Sequence, residues 1–151
     1  MASFFVTIID MNLQLITLLG IKVDQDVYEV MLPTSAGEIA VFPGHEPLVT
    51  MAIPGIIGVC YKKTDPDGLI DYFAISGGMV EISQQKVRIL VDEAEHGADI
   101  IESESKAALE RAIAMRDTTK NQLELEQAHQ LVDRHMVRLK VADLHRRHRR
   151  P

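Results

Sequence analysis

Two places in the chain carry side chains that could act as a nucleophile or as an acid–base pair. Ser76 lies in the pattern Ala74-x-Ser76-x-Gly78, which has the spacing of a nucleophile elbow. That elbow requires a helix directly after it, and the residues after Gly78 are typical of a strand. His45 and Glu46 are neighbours that could exchange a proton, but no third group is available to orient them. We therefore expect no catalytic residue, and interpret Ser76 as part of a glycine corner and His45 as a loop or interface residue.

Local motifs for binding a nucleotide or a metal are also missing from the sequence. Gly37 and Gly44 do not have the spacing of a P-loop, and no Gly-Lys-Ser/Thr follows them. His145 and His148 lie three residues apart near the end of the chain, but no set of cysteines or carboxylates surrounds them. We expect neither a cofactor nor a metal, and interpret these two histidines as part of a solvated helix face.

The charge of the chain is unevenly distributed. The formal net charge is -6, yet residues 134–151 contain seven Lys or Arg against one Asp. A basic end of this kind favours an acidic partner surface. Nucleic acid is disfavoured as that partner, because no Phe, Tyr or Trp is interleaved for stacking on bases and no DNA-reading motif surrounds the basic residues.

Composition limits the class of protein further. The chain has 151 residues, of which 46% are hydrophobic, and 5% are aromatic, so we expect an aliphatic core. A single cysteine, Cys60, excludes an internal disulfide and is typical of a reducing compartment. No apolar run approaches the roughly 20 residues of a membrane-spanning helix. The first residues lack a basic leader, so we expect no signal peptide, and we leave open whether Met1 or Met11 is the true start.

The polar groups of the first half must be positioned by short strands. Residues 32–50 are typical of three strands joined by two tight turns, with exposed polar tips at Glu38 and at His45. Pro43 and Gly44 end the middle strand. Further hairpins are predicted over residues 56–75 and 79–91. Many short strands without alternating helices predict a β-sandwich or flattened barrel over residues 1–97, with residues 1–10 as a candidate extension before it.

The second part of the chain is predicted to be helical. Residues 98–150 contain no Gly or Pro and are rich in good helix formers. Asp99 is predicted to cap the first helix, with Glu102 in the reciprocal position. The polar residues 117–121 predict a break, followed by a second helix of about 28 residues or roughly 42 Å. The fold class is thus mainly β plus α, with residues 98–151 forming an antiparallel two-helix hairpin with a basic end, and a more extended arrangement remains open.

One apolar stripe on the second predicted helix must be buried on the first helix, on the sandwich or on a partner. It consists of Leu125, Ala128, Val132, His135, Leu139 and Ala142.

Four blocks of sequence, in order and with matching gaps, resemble the epsilon subunit of F-type ATP synthases. They are PTSAGEIAVFPGHEPLVT at 33–50, FAISGGMVEI at 73–82, VRILVDEAE at 87–95 and LKVADL at 139–144. Each block alone is unspecific, but their common order makes the match specific. The resemblance covers the chain from about residue 13 to residue 150, and it implies the same layout of a sandwich followed by a helical hairpin.

The resemblance implies a role in the rotating central stalk. In the family the sandwich docks on the gamma subunit and on the ring of c subunits, and it carries no catalytic residue. Glu38 matches the loop that meets the c ring, and His45 matches the corner associated with gamma contact. The implied function is that of a non-catalytic coupling subunit, not an enzyme.

The resemblance also implies a regulatory arm. In the family the two helices fold down on the sandwich or extend along gamma, and the extended form inhibits ATP hydrolysis. Its basic residues then face an acidic segment of the beta subunit. The matching candidates here are Arg134, Arg138, Lys140, Arg146 and Arg147. The alternative is that these residues form only a solubilising face.

Some bacterial members of the family bind ATP on the hairpin through the signature Ile/Leu-Asp-x-x-Arg-Ala. The corresponding residues 100–105 have Ile101 in place of the Asp and Glu104 in place of the Arg. A carboxylate where a cation should meet phosphate is repulsive. Arg111, Arg134 and Arg138 remain, but we predict that ATP binds weakly or not at all.

We therefore interpret the chain as a central-stalk subunit that couples the membrane ring to the catalytic head through gamma and restrains ATP hydrolysis. The lack of a transit peptide favours the cytoplasmic face of a bacterial membrane, contacted only through the complex. The alternative function is a free-standing β-sandwich adaptor whose basic helical arm binds nucleic acid or an acidic protein. Co-purification with gamma distinguishes the two.

Overall fold

The structure is a computed structural model that describes residues 10–65 and 69–148. The candidate N-terminal extension, apart from Asp10, and the last three residues of the basic end lie outside the described residues.

Ten strands precede two helices in the described part of the chain. The strands are β1 Met11–Thr17, β2 Gly20–Val27, β3 Glu29–Thr34, β4 Gly37–Val41, β5 Leu48–Ala52, β6 Gly55–Cys60, β7 Asp71–Ile75, β8 Gly78–Ile82, β9 Lys86–Val91 and β10 Ala94–His96. A short 3₁₀ turn at Gly97–Asp99 leads to α1 Glu102–Thr118 and α2 Gln122–His148. The predicted fold, a sandwich followed by two helices, is confirmed.

The strands form one continuous sheet that folds over itself into a nearly closed sandwich. Their order is β10-β7-β6-β3-β5-β8-β9-β1-β2, and β4 pairs with β3 outside this path. All pairings are antiparallel except that of β1 with β9, which is parallel. The two ends of the path, β2 and β10, are not paired with each other, so a seam remains open between them.

Alternation along the strands places the core between the two layers. On β1 the residues Met11, Leu13 and Leu15 are buried, and the residues between them are half-exposed. The same alternation on β9 buries Val87 and Ile89. Since successive side chains of a strand point to opposite faces, this pattern gives each strand one core face and one outer face. The buried residues are almost all aliphatic, as the low aromatic content predicted.

The hairpin begins differently from the prediction. Asp99 does not cap α1, because it lies within the 3₁₀ turn, and the residue before α1 is Ile101, whose side chain makes no capping hydrogen bond. His96 caps the 3₁₀ turn instead, through a ring nitrogen that accepts the backbone N–H of Ala98. The predicted break is confirmed, since α1 ends at Thr118 and the Asn121 side chain accepts the backbone N–H of Leu123 at 2.9 Å.

Both faces of α2 are used for packing, so the structure shows the folded form of the hairpin. Ala128 and Val132 are buried where α2 packs along α1. Val141 and Ala142 are buried against Ala74 of the sandwich and its neighbours. The predicted stripe accounts for the first contact and includes Ala142 of the second, whereas Val141 lies on an adjacent face of the helix.

Candidate functional site

Glu38 and His45 lie at opposite ends of β4. Glu38 is exposed directly after the turn at Gly37, whose positive φ of +116° favours glycine. His45 follows β4, in a loop held to the turn between β8 and β9 by a hydrogen bond from the Gly44 N–H to the Gln84 carbonyl oxygen at 2.9 Å. The two residues therefore occupy two separate surfaces.

The geometry of His45 does not form an acid–base pair with the neighbouring carboxylate. Its Nδ1 lies 2.6 Å from the backbone carbonyl oxygen of Glu46, so Nδ1 carries the hydrogen that donates to it. Ser76 likewise has a structural role, because its hydroxyl oxygen accepts the backbone N–H of Glu93 at 3.0 Å. The strand β8 begins two residues after Ser76, so the helix of a nucleophile elbow is not present there.

The register of the sheet creates a feature that the sequence did not reveal, an apolar row across five strands. Met51 pairs with Met79, which pairs with Leu90, which pairs with Ile16, which pairs with Ile21. We call these five residues the apolar band. At about 4.8 Å between strands, the band is about 20 Å long. Met51, Met79 and Ile21 are 57%, 39% and 60% exposed, so the band faces solvent in the isolated chain.

Polar residues and an apolar tip border this band. On one side, Arg88 contacts Glu81 at 3.7 Å and Gln14 at 3.3 Å, which makes the next row polar. On the other side, the turn between β1 and β2 carries Leu18 and Leu19, which are 81% and 92% exposed. Exposed apolar side chains that form a continuous patch with a polar border are typical of a protein–protein interface.

The Leu18–Leu19 tip and the turn that precedes Glu38 belong to the same end of the sandwich. Ala52 at the end of β5 pairs with Thr34 before that turn, and it also pairs with Gly78. Gly78 pairs with Val91. Leu90, the residue before Val91, pairs with Ile16 of β1, two residues before the Leu18–Leu19 tip. One end of the sandwich thus combines an apolar tip and an acidic turn.

On another side of the sandwich, α2 is held by ion pairs with the last strand. Arg138 forms two parallel hydrogen bonds with the carboxylate of Glu95, at 2.7 and 3.0 Å. This geometry is specific and strong, and both side chains are largely shielded, with 20% and 33% exposure. Arg134 contacts Glu93 at 2.6 Å, but both side chains are more than half exposed, so this pair contributes at most about 1 kcal/mol.

The remaining basic residues predicted to face an acidic partner are mostly paired within the hairpin. Arg146 contacts Glu102 at 3.1 Å and also Asp143, and Arg147 contacts Asp143 at 3.0 Å. Lys140 is exposed. Four of the five predicted interface cations are therefore matched by carboxylates of the same chain while the hairpin is folded.

The residues at the degenerate ATP site do not form a phosphate site. Ile101 and Glu104 are exposed at the start of α1, and Arg111 is exposed further along it. The other two arginines point to Glu93 and Glu95, next to a cleft of about 750 Å³ between α2 and the sandwich. A phosphate in this cleft would have to displace these carboxylates from the two arginines.

We therefore predict that this chain does not bind ATP at millimolar concentration. Titration of the full chain with Mg-ATP in a calorimeter is expected to give only the heat of dilution. The triple variant Ile101→Asp, Glu104→Arg, Ser105→Ala restores the family signature and serves as the matched comparison. A saturable signal from the unmodified chain would show that the prediction is wrong.

Another cluster that the sequence did not reveal lies at the open seam of the sandwich, beside a cavity of about 340 Å³. The hydroxyl of Tyr61 donates to Asp71 at 2.7 Å, and His96 Nε2 lies 3.3 Å from the other carboxylate oxygen. Burial raises the pKa of Tyr61 above its ordinary value, and the negative charge and hydrogen bond of Asp71 raise it further. The cluster links β10 and the segment after β6 to the first residue of β7, beside the open seam.

Comparison with known proteins identifies the family. Residues 10–97 match the family described as ATP synthase, Delta/Epsilon chain, beta-sandwich domain. This chain belongs to the ATP synthase delta/epsilon family. The predicted resemblance to the epsilon subunit is confirmed.

Members of the family are similar along almost their whole length. The chain is 35% identical to the ATP synthase epsilon chain of Herpetosiphon aurantiacus, with 89% of this chain and 96% of the relative covered. It is 33% identical to the ATP synthase epsilon chain of Staphylococcus aureus strain JH9, over 89% of this chain and 97% of the relative. Both the sandwich and the hairpin therefore have counterparts in epsilon chains.

Solved structures show the same fold in assembled ATP synthases. A chain in the OSCP/F1/c-ring structure of the Euglena gracilis mitochondrial ATP synthase is 25% identical, with a TM-score of 0.76 over 96% of this chain and 89% of that chain. A chain in the central stalk/c-ring structure of the Tetrahymena thermophila mitochondrial ATP synthase is 13% identical, with a TM-score of 0.54 over 87% of this chain and 96% of that chain, and it supports the fold alone. Among the described residues of the present chain, no helix is long and apolar enough to cross a membrane.

Proposed function

We propose that this chain is a non-catalytic subunit of the central stalk of a rotary F-type ATP synthase, where it couples the membrane ring to the catalytic head through gamma. The observation that carries the proposal is the apolar band. It lies on strands other than β6 and β7, on which α2 packs, so folding of the hairpin does not cover it. A stable partner is the remaining way to remove these side chains from water.

Gamma is the partner that we assign to the band. A rotating stalk must transmit torque without slipping, which requires an extended and rigid contact. A row of side chains about 20 Å long on the outer face of the nearly closed sandwich provides such a contact. His45 and the Glu38 turn lie at opposite ends of β4, which supports two separate partners. We assign the end of the sandwich that carries Glu38 and the Leu18–Leu19 tip to the c ring.

We assign the hairpin to regulation of ATP hydrolysis. Arg134 and Arg138 are paired with Glu93 and Glu95 of the sandwich in the folded form, and extension of α2 would free them for an acidic segment of the beta subunit. Arg134, Arg138, Lys140, Arg146 and Arg147 are the residues proposed for that contact. The complex would then lie on the cytoplasmic face of a bacterial membrane, and this chain would reach the membrane only through it.

The test of gamma docking uses the catalytic complex, containing the alpha, beta and gamma subunits, with the full chain added. The double variant Met51→Glu, Met79→Glu is expected to weaken assembly at least tenfold, because it places two charges in the apolar contact. Leu123→Glu is the matched control, since Leu123 is 63% exposed on α2 and lies outside the band. The affinity of each variant is measured by its binding to the surface-immobilised complex.

Equal binding of both variants would contradict the assignment of gamma to the band. Failure of the unmodified chain to join the complex would favour the alternative, a free-standing adaptor. A chain that ends at Ala98 separates the two roles in the same assay. It is expected to assemble normally and to raise ATP hydrolysis, and unchanged hydrolysis would contradict the inhibitory role of the hairpin.

A further inference from the structure

Two polar atoms are buried in the hairpin without a hydrogen-bond partner. Ser105 on α1 is completely buried, yet its Oγ has no partner among the described residues. On α2, the ring atom Nδ1 of His135 is also enclosed and has no partner within the described part of the chain. Buried polar atoms in proteins are nearly always paired, so these two require a physical explanation.

The two residues lie at the same level of the hairpin. Ser105 lies 13 residues before Thr118, the end of α1, and His135 lies 13 residues after Gln122, the start of α2. Because a short turn joins two antiparallel helices, residues at equal distances from that turn lie beside each other. The unpaired atoms therefore belong to one polar level of the contact between α1 and α2.

The hydroxyl of Ser105 does not use the partner that a helical serine ordinarily finds. A serine inside a helix can donate to the carbonyl oxygen four residues earlier. For Ser105 this is the oxygen of Ile101, which accepts the Ser105 backbone N–H at 3.1 Å and receives no hydrogen bond from the hydroxyl. The side chain is thus removed from water and gains no hydrogen bond in return.

The part of the contact closer to the turn is apolar. Ala112 is the other buried residue of α1, and Ala128 and Val132 are buried on α2. These side chains lose nothing polar when the helices pack. At the level of Ser105 and His135, however, packing leaves polar atoms without partners, and separation of the helices returns these atoms to water.

We propose that Ser105 and His135 form a built-in weak point of the hairpin, at which α2 begins to separate from α1. The turn keeps the helices together at its own end, so an antiparallel hairpin opens at the other end, next to the sandwich. The weak point lies in that half of the contact. Its consequence for ATP hydrolysis rests on the proposed inhibitory role of the extended hairpin: a stronger contact at this level would weaken the inhibition.

Hydrogen exchange of the backbone amides of the isolated full chain, measured by NMR at constant pH, tests the proposal. Among the helices and strands, α1 packs mainly on α2, and a helix of 17 residues is marginally stable alone. The amides of residues 106–118 therefore exchange when the helices separate. Ser105→Ala is expected to slow their exchange about 5- to 150-fold, because it removes the unpaired hydroxyl. The amide of Leu13, inside the sandwich, is expected to stay unchanged.

The matched control is Ser103→Ala, because Ser103 is exposed on the same helix. This variant measures the gain that comes from the higher helix propensity of alanine alone, and it is expected to slow exchange by less than about threefold. On α2, His135→Leu is expected to slow exchange in the same direction as Ser105→Ala. Its control is His129→Leu, since His129 is exposed.

The proposal is wrong if Ser105→Ala protects α1 no better than Ser103→Ala, since the hydroxyl would then have a partner. It is also wrong if His135→Leu protects α1 no better than His129→Leu. In the unmodified chain, residues 106–109 are expected to exchange faster than residues 112–115, and equal rates would contradict opening from the sandwich end. No other subunit takes part, so failure would leave the proposed stalk function unaffected.

Discussion

The variant Gly78→Ala is expected to lose at least about 3 kcal/mol of unfolding free energy. A Cβ atom at residue 78 would lie 1.9 Å from the backbone carbonyl oxygen of Leu90 on the neighbouring strand. Backbone atoms in a paired strand cannot move aside as a flexible side chain can. The pairing of β8 with β9 must therefore separate at this point, which opens the core.

Thermal unfolding of the full chain, followed by circular dichroism, measures this loss. We expect a midpoint lower by about 6–12 °C, since 1 kcal/mol corresponds to about 2–4 °C at this chain length. Gly20→Ala is the matched control, because Gly20 also has a positive φ, of +124°, but no atom lies within 4 Å of the position that its Cβ would take. Equal losses in the two variants would show that backbone strain, not the collision with Leu90, is the cause.

The variant Gly97→Ala is expected to release the hairpin while the sandwich stays folded. A Cβ atom at residue 97 would lie 2.6 Å from Cβ of His145 and 3.3 Å from the backbone carbonyl oxygen of Val141. Both atoms are close to the main chain of α2, so the helix itself must shift. Overpacking of this kind costs about 1–3 kcal/mol, which corresponds to a roughly 5- to 150-fold weaker docking equilibrium.

Docking in this variant can be followed by NMR of the methyl groups of Val141, which is completely buried in the contact between α2 and the sandwich. The methyl signals of Leu13, which is completely buried inside the sandwich, report whether the sandwich stays folded. Ala98→Leu is the matched control, because Ala98 is the next residue and is exposed. In the reconstituted catalytic complex, Gly97→Ala should lower ATP hydrolysis if the released hairpin inhibits. Full docking of the variant would contradict the close contact seen here, and release without any change in hydrolysis would contradict the inhibitory role.

The folded hairpin changes how the basic end of the chain should be understood. The excess of positive charge over residues 134–151 suggests a surface that attracts acidic partners at all times. In the folded form, however, Arg138 and Arg134 are occupied by Glu95 and Glu93. Under the proposed regulation, an acidic segment of another subunit would therefore compete with these two carboxylates of the same chain for the arginines.

Much of the fold followed from local signals in the sequence. Short strands separated by glycine and proline turns predicted the sandwich, because such residues permit or enforce sharp changes of chain direction. The absence of Gly and Pro after Gly97 predicted the helices, and the polar residues 117–121 predicted their separation. Four ordered blocks indicated the family, which the comparisons confirmed. These features depend on neighbours in the chain, so the sequence alone was sufficient.

The tertiary structure was needed wherever distant residues meet. The apolar band joins Ile16, Met51 and Leu90 with residues of two further strands, and a shift of one position in register would turn such side chains to the other face. The start of α1 was wrongly predicted, because Asp99 lies within a 3₁₀ turn that His96 caps, and Ile101 is the residue before α1. The pairs of Arg134 with Glu93 and of Arg138 with Glu95 likewise depend on how α2 docks. Local propensity determines elements, whereas long-range packing determines which of their side chains come together.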